Sequence, residues 1–328
     1  MTSPIALSVV VPLFNEQEVV DELVSRIAKS CHDAGVTWEA VLVNDGSTDA
    51  TLERLVRISG SMPELRVLDL LRNFGHMPAL SAGLASARGE AVIVMDGDLQ
   101  DPPELIPLFI DEWRRGAEVV YGLRTRNHDA FLKRHLTSLF YWFLSRNAEA
   151  RIPRHAGTFC LLDRRVVQAL NAMPERQRFF AGLRAWVGGK QAFVEYERAG
   201  RARGKSRVGI AGLFRLARMA LVSFTKVPLR YASMIGMLAG FILFCVGMGA
   251  IIEKLFTNLA IPGWATSTTM IGFLGFLQSF LLAVLAEYIA VIFDEVKQRP
   301  LYLVREEIRN GAPTPDPSPS LYWEREGL

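Results

Sequence analysis

Between Arg230 and Glu253 the chain runs for 22 residues, 231–252, without a charged side chain. At helical rise such a run is roughly 33 Å long, enough to cross the hydrocarbon core of a bilayer. A second charge-free stretch, 255–286, contains Pro262 and Gly263, which predicts a short hairpin loop and then a second span. The alternative is a pair of helices buried in a large soluble core, but an apolar run of this length in water rarely lacks every charge. The expected layout is membrane helices at 231–254 and 266–293. Some 200 residues before them are left for a domain of their own.

Basic residues close to the spans set the orientation. Lys226 and Arg230 precede the first span and Lys297 and Arg299 follow the second, whereas the hairpin holds only Lys254. A multi-pass protein of the inner (cytoplasmic) membrane with both termini cytoplasmic is expected. Residues 190–230 carry ten Lys or Arg against two Glu, a net +8 in a chain whose total is +3, so the rest sums to −5. Within that segment Ile210, Leu213, Phe214, Ala217, Leu221 and Phe224 recur at helical spacing with Arg215 and Arg218 among them. This predicts an amphipathic interfacial helix over 207–230, each basic side chain attracted to anionic membrane lipid by about 1 kcal/mol; a solvated basic linker is the alternative. Cys31, Cys160 and Cys245 are scattered and odd in number, which fits neither a disulfide framework nor a zinc site and points to a reducing compartment. No basic start or long apolar run marks a cleavable signal at the N-terminus. Residues 294–312 are expected as a cytoplasmic C-terminal helix, and 313–328, with four prolines in the first seven residues, as a disordered tail.

Residues 1–206 are expected to form the main domain. Short apolar runs at 7–11, 40–43, 67–71, 91–95 and 119–121 read as strands, and 19–28, 52–58, 79–87 and 105–113 between them repeat at three and four residues. That alternation predicts a largely parallel sheet with helices on its faces, whose ligands sit beyond the carboxyl ends of the strands. Polar clusters follow three of those strands. They are Pro12, Phe14, Asn15 and Glu16; Asn44, Asp45, Gly46, Ser47, Thr48 and Asp49; and Asp96, Gly97, Asp98, Leu99, Gln100 and Asp101. Each alone reads as turn and capping chemistry, but three at consecutive strand ends point to a binding edge. Asp96 and Asp98, one residue apart after an apolar strand, can offer oxygen ligands to a hard divalent cation, with the Gln100 carbonyl oxygen as a further donor. No Walker loop and no Gly-x-Gly-x-x-Gly follows a strand, which argues against ATP or NAD.

The motifs Val-Val-Pro-Leu-Phe-Asn-Glu at 10–16, Val-Asn-Asp-Gly-Ser-Thr-Asp at 43–49, Arg-Asn-Phe-Gly at 72–75 and Met-Asp-Gly-Asp-Leu-Gln-Asp-Pro-Pro-Glu at 95–104 resemble family 2 glycosyltransferases of the polyprenyl-phosphate branch. That branch includes bactoprenol glucosyltransferases and dolichol-phosphate mannose synthase. The resemblance continues through Tyr-Gly-Leu-Arg at 121–124, Lys-Arg-His-Leu-Thr-Ser at 133–138, Arg-Ala-Arg-Gly-Lys-Ser-Arg at 201–207 and Glu-Val-Lys-Gln-Arg-Pro-Leu-Tyr at 295–302. It implies a GT-A type α/β domain followed by interfacial helices and two transmembrane helices, with the catalytic domain cytoplasmic. Asp45 with Pro12, Phe14, Glu16 and Gly46 would bind the donor nucleotide, and Asp96, Asp98 and Gln100 would hold Mg²⁺ or Mn²⁺. Arg124, Arg134 and Ser138 would act with the two aspartates on the reacting groups, and Arg201, Ser206 and Arg207 would grip the acceptor phosphate, a task suited to guanidinium forks. The implied reaction is inverting transfer of a sugar from a nucleotide diphosphate sugar, UDP-hexose first among the donors, to a polyprenyl phosphate such as undecaprenyl phosphate. Nucleic acid is not an expected partner, and self-association is left open.

Two features depart from the pattern. Where family members commonly read Gly-Asp-Phe-Arg, this chain has Gly157, Thr158, Phe159 and Cys160, so a carboxylate is missing. Processive polysaccharide synthases share the aspartate clusters but carry Gln-x-x-Arg-Trp, for which the nearest stretch here is Arg184, Ala185 and Trp186. A processive synthase and a catalytically silent lipid-binding or assembly subunit are the competing readings.

Overall fold

In a computed structural model, which describes residues 5–124, 156–176, 178–197, 227–257 and 263–314, the apolar runs become strands buried on both faces. β1 (Leu7–Leu13), β2 (Trp38–Asn44), β3 (Leu65–Leu70) and β4 (Ala91–Val94) lie parallel, Val10 opposite both Val41 and Val94 and Val43 opposite Leu68. Strands covered on both sides need continuous hydrophobic runs rather than alternation, which is what these segments supply. The connections are α1 (Val20–Asp33), α2 (Thr51–Ser59) and α3 (His76–Ser86), and α4 (Ile106–Arg114) follows β4 after a 3₁₀ turn at Pro103–Leu105.

The sheet then widens. β5 (Val119–Arg124), β6 (Ala156–Asp163) and β7 (Gln191–Tyr196) extend it beyond β4, with α5 (Arg164–Ala172) and α6 (Phe180–Val187) between β6 and β7. β6 runs antiparallel to β4, with Cys160 opposite Val94, and the order of these strands is β7-β5-β6-β4-β1-β2-β3. The α/β class agrees with the expectation, whereas the sheet is mixed rather than largely parallel, because β6 runs antiparallel to both β4 and β5.

The C-terminal region differs from its expected form. Residues 294–312 are not one helix: after Val296 the chain forms β8 (Val304–Arg309) and β9 (Ala312–Pro313), and β8 pairs antiparallel with β3. Pro313 lies in β9 and Thr314 donates its backbone N–H to the Glu307 carbonyl at 2.8 Å, so the expected disordered tail does not begin at 313; residues 315–328 lie outside the described residues. The physical reason is at the amino edge of the sheet. Arg66, 3% exposed, donates from Nε to Glu307 at 2.8 Å and from Nη1 to Glu39 at 3.0 Å and to the Ser86 carbonyl at 2.7 Å. Glu307, 1% exposed, also accepts from Arg309 at 2.7 Å. Buried charges need partners, and Val-Arg-Glu-Glu-Ile-Arg finds them as a strand on β3.

The chain divides into two units, one built on residues before 210 and after 298 and the other on 210–298. In the second, α7 (Val227–Thr257) and α8 (Trp264–Val296) each exceed the expected spans at both ends, and residues 258–262 of the expected hairpin lie outside the described residues. The two helices touch where a Cβ on Gly236 would stand 3.1 Å from Leu281 Cδ1. One segment among the described residues, Met270–Val296, is long and apolar enough to cross a membrane, and Tyr231–Ile242 is a shorter apolar stretch. Met237, Phe241, Ile271, Phe276, Leu282 and Ile289 are all exposed. Of the expected interfacial helix, 207–226 lie outside the described residues and 227–230 form the first turn of α7.

Glu307→Ala opens a buried void, takes the carboxylate from Arg309 and leaves Arg66 with Glu39 as its carboxylate partner. We expect it to lower the unfolding free energy by about 3–5 kcal/mol, read as a lower urea midpoint for the full chain in detergent. The Arg66 and Arg309 guanidiniums outweigh burial and hold the Glu307 carboxyl below its usual 4.5. A depressed carboxyl stabilises the fold above the unfolded-state pKa and loses that contribution as pH falls through the folded one. The wild type should therefore lose stability faster than Glu307→Gln as pH drops below about 4.5.

Candidate functional site

The loops that leave β1 and β2 are tied to each other. Asn15, at φ 55°, donates its backbone N–H to Ser47 Oγ at 3.0 Å, and its side-chain oxygen accepts from the Thr48 N–H at 2.7 Å. The Glu16 N–H donates to Thr51 Oγ1 at 2.9 Å and the Ala50 N–H to Gln17 Oε1 at 3.0 Å. Much of the Asn-Asp-Gly-Ser-Thr-Asp cluster is therefore turn chemistry, spent on holding two strand ends together. Of the expected nucleotide-pocket residues, Pro12 is buried inside β1, while Phe14 and Glu16 are partly exposed in the loop beyond it.

Asp45 directly follows β2 and is 3% exposed. Its carboxylate accepts the N–H groups of Phe74 at 2.7 Å and Gly75 at 2.9 Å, drawing the loop after β3 onto the loop after β2. Burial pushes this carboxyl above its usual 3.8, partly offset by the two N–H donors, His76 and Arg72. Gly46 makes the approach feasible: its φ is +63°, and a Cβ there would lie 2.4 Å from the Arg72 carbonyl carbon.

Asp96 and Asp98 follow β4 and both are partly exposed. The close approach of this turn to β1 depends on Gly97, where a Cβ would lie 2.4 Å from Leu13 Cδ2. His76, the first residue of α3, brings Nε2 to 3.0 Å from Asp96 Oδ1. Desolvation on its packed side pulls the imidazole down, but the Asp96 contact and the charges of Asp45 and Asp98 lift it above the usual 6.5. Asp98 Oδ1 accepts the Gln100 N–H at 3.2 Å, and Leu99 between them sits at φ 58° with its side chain buried. Asp101, expected only as part of the cluster, is fully buried and accepts the Tyr196 hydroxyl, fastening the turn to β7. The three strand-end clusters thus share one edge, as expected.

A divalent cation fits this donor set only in part by protein ligands: among the described residues no three His, Cys, Asp or Glu side chains group for a metal. Mg²⁺ is commonly held by one or two carboxylates with substrate phosphates and water completing the shell, and the Asp96 and Asp98 carboxylates with the Gln100 amide oxygen supply that partial set. Arg124 closes β5 opposite Tyr196, and its side chain lies outside the described residues, as do Arg134, Ser138, Arg201, Ser206 and Arg207. Thr158 sits on β6 at intermediate exposure. Sequence reasoning missed His76, whose only signal is its place just after the Arg-Asn-Phe-Gly motif, and gave no role to Arg184. Thiol chemistry is not available here, since burial raises the Cys31 thiol to about 12 and pushes Cys160 up as well.

Residues 8–170 match the profile of glycosyl transferase family 2. An uncharacterized glycosyltransferase of Synechocystis is 38% identical over 92% of this chain and 95% of its own length. The YkcC glycosyltransferase of Bacillus subtilis, also uncharacterized, is 37% identical over 93% and 95%. A prophage-derived bactoprenol glucosyl transferase of Shigella flexneri is 38% identical over 92% of this chain and 98% of its own. The solved glucosyl-3-phosphoglycerate synthase of Mycobacterium tuberculosis aligns over 66% of this chain and 76% of its own at 20% identity and a TM-score of 0.46, too distant to carry an argument.

Gly46→Ala should displace the 72–75 loop, because the backbone it meets cannot yield as a side-chain tip could and the left-handed conformation itself costs roughly 1–2 kcal/mol. Hydrogen exchange at the Phe74 and Gly75 amides is expected to quicken by at least about tenfold, with the β1, β2 and β4 amides unchanged.

Proposed function

The chain belongs to glycosyl transferase family 2, and from that premise we propose that it transfers a hexose, with inversion, from a UDP-sugar to a polyprenyl phosphate at the cytoplasmic face of a membrane. The observation that carries this reading is the Asp96 and Asp98 pair at the carboxyl end of β4, beside the interlocked loops of β1, β2 and β3. Ligands of open α/β sheets bind at such an edge. The lipid acceptor is supported by the relative named a bactoprenol glucosyl transferase.

Asp96, Asp98 and the Gln100 side chain would hold Mg²⁺ or Mn²⁺. When bound, such an ion neutralises diphosphate charge and stabilises the departing nucleotide. His76 positions Asp96 through its hydrogen bond and adds positive charge beside the pair. Asp45 keeps the loop after β3 in place through the Phe74 and Gly75 amides, which fixes the wall between the β2 and β4 turns. Pro12, Phe14, Glu16 and Gly46 belong to that nucleotide side of the edge. We assign Arg124, Arg134 and Ser138 to the donor and acceptor phosphates, and Arg201, Ser206 and Arg207 to the acceptor.

Thr158 is compatible with transfer because of the acceptor's chemistry. A sugar hydroxyl must lose a proton as it attacks, a reason for placing a carboxylate beside it. A phosphate monoester, with a second pKa near 6, is already largely a dianion at neutral pH. Its oxygen needs alignment and neighbouring positive charge rather than a base.

Membrane attachment by two spans is supported by the exposed apolar surface of α7 and α8, since each large side chain left in water forgoes about 1.5–3 kcal/mol of burial. It is supported further by connectivity: the chain leaves the first unit before residue 210 and rejoins its sheet at β8, so an even number of crossings is required. The expected extent of the catalytic domain is extended accordingly, to residues 1–206 with the β8–β9 segment added.

The test is incubation of the full chain with labelled UDP-hexoses and undecaprenyl phosphate, followed by lipid extraction. Asp96→Asn and Asp98→Asn should each cut transfer on the order of a hundredfold or more while leaving the thermal unfolding midpoint unchanged. Full activity in excess chelator, or near-normal activity in both variants, would remove the metal assignment. Thr158→Ala is expected to keep turnover within about threefold of wild type, measured as initial rate against polyprenyl-phosphate concentration.

A further inference from the structure

The end of β3 nearest the candidate site holds a buried carboxylate. Asp69, 1% exposed, lies opposite Asn44, the last residue of β2, and its Oδ1 accepts from Asn44 Nδ2 at 2.6 Å. Its Oδ2 stands 3.2 Å from Arg305 Nη1 of β8, an ion pair without hydrogen-bond alignment. Arg305 reaches it from a bulge: Asp69 lies opposite Glu306 and Leu70 opposite Val304, so Arg305 is the extra residue of β8. Bulges re-aim side chains, and here the half-exposed guanidinium spans two partners, because Nη2 also donates to the Leu71 carbonyl at 3.1 Å. The Leu71 N–H in turn donates to the Leu303 carbonyl at 3.0 Å.

Each contact leads to a loop on the nucleotide side of the edge. A carboxamide has one donor end and one acceptor end, so Asn44, with its NH₂ turned to Asp69, presents Oδ1 the other way, where it accepts the Ser47 N–H at 3.3 Å. Ser47 Oγ accepts the Asn15 N–H at 3.0 Å. Arg305, Asp69, Asn44, Ser47 and Asn15 therefore form one chain of contacts from β8 to the loop after β1. The second branch is shorter: Leu71 opens the loop whose Phe74 and Gly75 amides bind Asp45. Nothing in the strand pairing requires a carboxylate at 69, and apolar residues often replace a buried ion pair without loss of stability. What this pair adds is a fixed direction for the Asn44 amide and a fixed root for the 72–75 loop.

We infer that Arg305 is a positioning residue for the donor nucleotide, acting through Asp69 and Asn44 on the 45–48 loop and through Leu71 on the 72–75 loop. This rests on the glycosyl-transfer reading above. Arg309 lies on the same strand but binds Glu307 toward the amino edge of the sheet, so the two arginines separate positioning of the site from docking of β8.

Full-length wild type, Arg305→Met, Arg305→Gln, Arg305→Lys and Arg309→Met in detergent are titrated calorimetrically with UDP plus Mn²⁺, and amide exchange is followed in the unliganded proteins. In whichever neutral variant at 305 folds, UDP affinity should fall about fivefold or more, with faster exchange at the Ser47 and Phe74 amides and no change in β1 and β4. Arg305→Lys, which keeps a cation beside Asp69, should bind UDP more tightly than the neutral variants. Arg309→Met should lower the unfolding temperature yet keep UDP affinity within about twofold of wild type. Wild-type affinity in a folded neutral variant overturns the inference, as does an Arg305→Lys no better than the neutral variants. An Arg309→Met that loses as much affinity, or failure of both neutral variants to fold, gives Arg305 a purely structural role and overturns it too. A wild type that binds no UDP overturns the UDP-sugar donor of the transfer reading, and this inference with it.

Discussion

The sheet is held at its amino edge by a single buried cation. Arg66 at the start of β3 reaches Glu39 at the start of β2 and Glu307 on β8, and Glu39 in turn accepts from Ser8 on β1 at 2.7 Å and from the Arg88 N–H at 2.7 Å, just before β4. Four strands and the entry to a fifth meet in one network. Slipping any of them by one residue would exchange its two packed faces and also leave a charge unpaired in the interior. With register fixed there, the opposite edge can carry loops chosen for chemistry. The alignment of Asp45 with Asp96 descends from contacts at the far end of the strands that bear them.

That division explains what could be read from sequence. β1 to β4 were legible because strands covered on both faces must be continuously apolar, and the turn residues bounding them are equally plain. The aspartate clusters were legible for the related reason that polar residues directly after such strands can only stand at the carboxyl edge. β8 was not: Val-Arg-Glu-Glu-Ile-Arg has neither an apolar run nor clean alternation. Its core-facing Glu307 is satisfied by an arginine 241 positions away in sequence, a partner no local pattern announces.

The site shows the same limit. A histidine opening a helix carries no signal of its own, and only the fold places His76 against Asp96. Arg184 stood out in the sequence as a fragment of a motif that does not match, yet its complete burial is a fact of packing. Conversely, Asn15, Ser47 and Thr48 looked like candidates for a ligand, and their hydrogen bonds show them occupied with one another.

The late return of β8 to the sheet bears on how the chain is made. Residues emerge in order, so β3 (Leu65–Leu70) remains an open edge until everything up to β8 (Val304–Arg309) has been synthesised, an interval of roughly 10–50 s at translation speeds of about 5–20 residues per second. In the two-span reading, that edge can be capped only when the helical hairpin has inserted and brought its second end back to the side it started from. A half-inserted hairpin, crossing once instead of twice, leaves β8 across the bilayer, with Arg66 facing Glu39 alone and a row of backbone donors and acceptors exposed to solvent, the kind of edge that invites mispairing and recognition by quality control. Closure of the catalytic fold then doubles as a check on topology, performed by the strand that caps β3.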